Sequence, residues 1–102
     1  MNVKQLQKSA NQVGDLMRVL SNPNRLLILC QLVERERSVG ELAELTGMRE
    51  AATSQQLALM RKDRLVTTRR SGQTIWYSLV RDDVKRLLDF LYEAYCGDKV
   101  RR

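Results

Sequence analysis

The stretch that decides the fold runs from Ser38 to Leu79 and reads SVGELAELTGMREAATSQQLALMRKDRLVTTRRSGQTIWYSL. Ser38-Val39-Gly40-Glu41 fits a capping box, with Ser38 as N-cap and Glu41 three residues on. The short helix it starts contains Leu42, Ala43 and Leu45 and stops at Thr46-Gly47. A longer helix follows from about Arg49 to Lys62, with Ala52, Leu57, Leu59 and Met60 as its apolar positions. Two helices split by a glycine-containing turn over 38–62 make a helix-turn-helix pattern. Leu65 to Arg70 and Thr74 to Leu79 are then rich in β-branched and aromatic residues, around a Ser71-Gly72-Gln73 turn. That spacing predicts a β-hairpin over 65–79. A hairpin directly after the second helix is a wing.

Outward from this segment, the chain is helical on both sides. Val3, Leu6, Ala10, Val13, Met17 and Leu20 recur at spacings of three and four. This narrow stripe over 1–20 is expected of a helix that packs on a partner. Ser21-Asn22-Pro23 interrupts it, and Asn22 as N-cap with Pro23 in the first turn starts a second helix that runs to about Glu36. That helix places Leu26, Leu29, Cys30 and Val33 on one face. At the other end, Asp82 is the expected cap of a last helix through Val84, Leu87, Leu88, Leu91, Tyr92 and Tyr95, with Gly97 as its stop. The tail from Asp98 to Arg102 is polar and expected to fray. The fold class is thus mainly α with a small β-hairpin wing: one winged helix-turn-helix domain over 1–102, with five helices.

Composition narrows the function. The 102 residues hold 18 Lys+Arg against 12 Asp+Glu, a net charge of +6. An excess of this sign favours an anionic partner, and double-stranded DNA is the expected one; general solubility is the plainer alternative. No segment approaches the roughly 18 apolar residues of a membrane span. The first residues lack the apolar core of a signal peptide, so a cytoplasmic address is expected. There is no histidine, no glycine-rich phosphate loop and no cluster of carboxylates, which argues against an enzyme. No cofactor and no metal are expected.

On the second helix of the pair, Thr53, Ser54, Gln55 and Gln56 are polar where such a helix faces the major groove, and Arg49 stands at its start. Serine and threonine can meet several base edges, and glutamine can pair bidentately with adenine. Arg61, Lys62, Arg64, Arg69, Arg70 and Gln73 are candidates for phosphate and minor-groove contacts, which position rather than specify. A plain solvated helix face would carry the same residue types. Trp76 and Tyr77 alternate across a strand and suit packing better than base stacking.

In order and residues, this chain resembles the ArsR family of winged-helix repressors. The resemblance rests on Leu20 to Leu29, Ser38 to Ala43, Ala52 to Leu57 and Arg61 to Val66. It implies a homodimer joined through the first and last helices (1–20 and 82–97) that binds imperfect palindromic operators. Within the family the chain is most similar to the BigR-like, sulfide/persulfide- or redox-responsive branch, which also includes hemolysin regulators. The cue is Ile28-Leu29-Cys30 together with Tyr95-Cys96. The resemblance implies that Cys30 and Cys96 react with reactive sulfur species or oxidants to form a disulfide or polysulfide bridge, and so control operator affinity. Two departures are Gln56, where the family often has histidine, and Met48-Arg49, where many relatives place a serine. Periodicity alone favours both cysteines as small buried hydrophobes, and it is the resemblance that reverses this preference. A two-thiolate metal site across a dimer, an activator or anti-silencer, a redox-inert winged-helix regulator and a basic protein-interaction module stay open beside the main reading.

Overall fold

A computed structural model describes residues 1–97. Five helices and three short strands follow in the order α1 (Val3–Leu20), α2 (Pro23–Glu34), β1 (Arg37–Ser38), α3 (Val39–Thr46), α4 (Glu50–Lys62), β2 (Val66–Ser71), β3 (Thr74–Leu79) and α5 (Asp82–Cys96). The expected five-helix winged helix-turn-helix is present. The expected fraying of the tail from Asp98 to Arg102 lies outside the described residues.

Helix starts follow local chemistry. The Asn2 side chain accepts from the backbone N–H groups of Lys4 and Gln5, and Asn22 does the same for Asn24 and Arg25 ahead of α2. Both halves of the Ser38–Glu41 capping box are formed at α3. Gly47 then takes φ 73, the left-handed conformation that glycine adopts without steric cost, and ends α3. At α5 the cap differs from expectation: Arg81 occupies the N-cap position with no side-chain bond to the helix backbone, and Asp82 is the first helical residue. Asp83 does the local work, accepting from the Val84 backbone N–H at 2.9 Å and pairing with Arg81. The two acids sit in the first turn, where the helix dipole favours negative charge.

Between α2 and α3 the structure holds an unanticipated strand. α2 stops at Glu34 rather than Glu36, because Arg35 turns to extended backbone. Arg37 and Ser38 then pair antiparallel with Tyr77 and Trp76, giving a three-stranded sheet of order β1-β3-β2. A two-residue strand has no alternation to read, which is why the sequence shows only the hairpin. Arg37 is 7% exposed, and its charge is satisfied by the Gln31 carbonyl at 2.9 Å and the Glu34 carboxylate at 3.0 Å. It ties the end of α2 to the sheet.

The core joins Leu20, Ile28, Leu29, Leu32, Leu42, Leu57, Met60, Leu65, Val66, Val84 and Leu88. The inner face of α4 is Thr53, Leu57 and Met60, spaced four and three apart, while Ala52 and Leu59 face outward instead of joining it. α1 contributes Leu16, Val19 and Leu20 to the core, but Val3, Leu6, Val13 and Met17 are exposed. On α5, Val84, Leu87 and Leu88 point inward, whereas Phe90, Tyr92 and Tyr95 are exposed.

Candidate nucleic-acid interface and thiol pair

α4 presents its polar residues unevenly. Arg49, Ser54 and Gln55 are exposed on the outer side of the helix and its start. Thr53 is not. It is fully buried, and its hydroxyl donates to the Arg49 carbonyl at 2.9 Å, so it packs the helix instead of facing a groove. Periodicity explains the correction, since position 53 lies one turn before Leu57 on the core face. Gln56 is half-buried, and its Oε1 accepts from Arg25 Nε at 2.8 Å across from α2.

At the far end of α4, Arg61 and Lys62 are exposed in the last turn. The chain leaves the helix through Arg64, a non-glycine residue at φ 62. The backbone N–H of Leu65 donates to the Met60 carbonyl at 2.9 Å, and that of Arg64 donates to Arg61 at 3.0 Å. This is the Schellman pattern, and its left-handed position usually holds glycine. Here an arginine side chain stands out from that turn.

On the wing, Arg69 is already engaged. Its guanidinium grips both carboxylate oxygens of Glu36 and lies 5.8 Å from the centre of the Trp76 ring, its cross-strand neighbour. This pairing holds the Glu36 carboxyl below the usual carboxylate range and pushes the Arg69 guanidinium up. The pair is exposed, so it contributes little to stability, but it occupies the charge that phosphate would otherwise meet. Arg70 donates to the Gly72 carbonyl at 3.1 Å, and Gln73 is exposed at the hairpin tip. Among the described residues, no carboxylate pairs with Arg49, Arg61, Lys62, Arg64 or Arg70. These five form the uncompensated positive charge around α4 and the wing. Trp76 and Tyr77 are both half-buried, and Tyr77 packs on the core.

The two thiols lie on helices that pack together. Cys30 sits half-buried on α2 against the core, and Cys96 is exposed as the last residue of α5; neither is bridged. A cleft of about 290 Å³ opens beside Cys30, walled by Val33 and Glu34 of α2 and Leu88, Asp89 and Tyr92 of α5. Burial pushes the Cys30 thiol up, and a negative charge on Cys96 pushes it further. Among the described residues, no group of three His, Cys, Asp or Glu side chains is placed to hold a metal ion. None of the helices there is long and apolar enough to cross a membrane.

The sequence pattern missed Arg25, Glu36 and Arg37 as parts of this surface and its support. Each acts through a partner distant in the chain or in a strand too short to signal itself.

The family model "Bacterial regulatory protein, arsR family" matches residues 22–68. The transcriptional activator HlyU of Vibrio cholerae is 38% identical over 94% of this chain and 89% of its own length. The crystal structure of the transcriptional repressor BigR from Xylella fastidiosa superposes with a TM-score of 0.87 at 40% identity, covering 94% of this chain and 98% of that one. A solution structure of a homodimeric winged helix-turn-helix DNA-binding domain from Mycobacterium bovis gives a TM-score of 0.76 at 29% identity, covering 94% and 89%. Matches of this extent, on a fold with these elements in this order, show that the chain belongs to the ArsR family of bacterial transcriptional regulators.

Proposed function

We propose that the chain is a homodimeric, sequence-specific DNA-binding regulator, acting as a repressor, whose operator affinity is set by oxidation or persulfidation of Cys30 and Cys96. The observation that carries the DNA-binding part is the outer face of α4. There Arg49, Ser54 and Gln55 stand exposed, flanked by the uncompensated Arg61, Lys62, Arg64 and Arg70. In this reading Arg49, Ser54, Gln55 and Gln56 meet bases, while the flanking cations and Gln73 hold phosphates. Dimerisation through α1 and α5 is supported by their exposed Val3, Leu6, Val13, Met17, Phe90, Tyr92 and Tyr95. The homodimeric state of the Mycobacterium bovis domain points the same way. A two-fold axis would set the two α4 helices on palindromic half-sites.

The switch rests on α2 packing against α5 with a thiol on each. In the persulfide route, the Cys30 thiolate takes the outer sulfur of a low-molecular-weight persulfide, releasing that molecule as its thiol. The Cys96 thiolate then attacks the inner sulfur of the Cys30 persulfide and releases hydrogen sulfide, leaving a disulfide. With peroxide, two thiols give one disulfide and two waters. Tying α2 to the end of α5 changes how the dimer helices sit and hence the half-site spacing; a coupling of about 1–3 kcal/mol changes affinity roughly 5–150-fold.

Fluorescence anisotropy with DNA from the chain's own promoter, across a salt series, tests the first part. Steeply falling affinity with salt is expected, and a flat response would sink the phosphate contacts. The activator reading is favoured by one finding, the relative named as a transcriptional activator. In vitro transcription with and without the protein separates the two directions.

A further inference from the structure

Gln56 does not stand alone. Arg25 Nε donates to Gln56 Oε1 at 2.8 Å, in a half-buried contact between residues 31 positions apart. Arginine carries donors only, so the atom it meets must be the amide oxygen, and this fixes which way the Gln56 amide points. Arg25 is itself held: its backbone N–H is capped by Asn22 in the first turn of α2, and no carboxylate pairs with its guanidinium among the described residues. A charge-assisted bond of this length is among the stronger kinds.

We infer that Arg25 is a specificity-determining positioning residue that turns Gln56 into a donor-only reader of DNA. This rests on the DNA-reading role proposed above. Bidentate pairing with adenine needs both amide atoms of glutamine, the oxygen for the N6 amino group and the nitrogen for N7. With its oxygen turned toward α2, Gln56 offers the groove only the Nε2 amide. Such a donor best matches guanine, which presents two adjacent acceptors, O6 and N7, whereas thymine O4 and adenine N7 each offer one. It does not match the amino groups of adenine or cytosine. The base that Gln56 selects is therefore set from α2, by a residue that touches no base.

The test is a binding selection from a randomised duplex library, run with the full native chain and with Arg25→Ala, Arg25→Lys, Gln56→Ala and the Arg25→Ala/Gln56→Ala double variant. Circular dichroism first checks that each is folded. The native chain is expected to prefer guanine about tenfold over adenine at one position in each half-site. Arg25→Ala should admit adenine at that position and leave the others unchanged, and Arg25→Lys should keep the native profile. Gln56→Ala should flatten the same position, with Arg25→Ala adding nothing in that background. An unchanged profile for Arg25→Ala overturns the inference, as does an equal loss of affinity for every duplex, which would make Arg25 a phosphate contact or a strut. Failure of the native chain to enrich any sequence would instead overturn the DNA-reading role itself.

Discussion

α4 and α1 both carry an apolar stripe at helical spacing, yet the chain treats them differently. α4 hides Thr53, Leu57 and Met60 completely or nearly so. α1 is 18 residues long and buries only Leu20, leaving Val3, Leu6, Val13 and Met17 in solvent. α5 is divided, with Val84 and Leu88 inside and Phe90, Tyr92 and Tyr95 outside. α4 is thus supported from within one chain, while the terminal helices leave apolar surface exposed. Periodicity reports that a face is apolar; it does not report what covers it.

Substitutions on the two helices separate these roles. Leu57→Ala should cost the most, about 2–5 kcal/mol of folding stability, because it opens a cavity in a closed core. Thermal unfolding measures it, and a loss below 1 kcal/mol would mean that α4 is not held as described. Val13→Asp should weaken association by about 1.5–3 kcal/mol, the burial it forfeits, with helical content kept. Sedimentation over a concentration range reads this, and an unchanged dimer would remove α1 from the interface.

Arg64→Gly should act in opposite senses on stability and binding. Relief of the left-handed turn raises stability by about 1 kcal/mol, while removal of an uncompensated cation weakens DNA binding and flattens its salt dependence. Unaltered DNA affinity would make the strained arginine a bystander. The smallest effect concerns the thiols. Burial and the Cys96 charge both disfavour the Cys30 thiolate, so any stability this provides is present at low pH and lost as pH rises through the raised value. Cys96→Ser removes one of the two causes, and the pH profile of Cys30 alkylation should move to lower pH. A fixed profile would show that the sulfurs do not interact.

The fold was legible because its signals are local. Asn22-Pro23, the Ser38–Glu41 box, Gly47 and the turn at Gly72 each act within a few residues. The site was legible only in part. Ser54, Gln55 and the basic residues could be named from residue type and position. Thr53, by contrast, reads as a surface residue by its polarity, although its place one turn before Leu57 puts it in the core. Contacts that couple distant segments left no local trace: Arg25 with Gln56, Glu36 with Arg69, and β1 with β3. The Cys30–Cys96 relation is of the same kind. Residue spacing cannot show that α2 packs on α5, the two helices that carry the thiols.

The most direct test of the regulatory account is operator affinity of the native chain before and after treatment with a low-molecular-weight persulfide, beside Cys30→Ser treated alike. Binding by the treated native chain should be roughly 5–150-fold weaker, with no change for Cys30→Ser. Equal affinity of the native chain in both states, with the bridge between Cys30 and Cys96 confirmed by mass spectrometry, would contradict it.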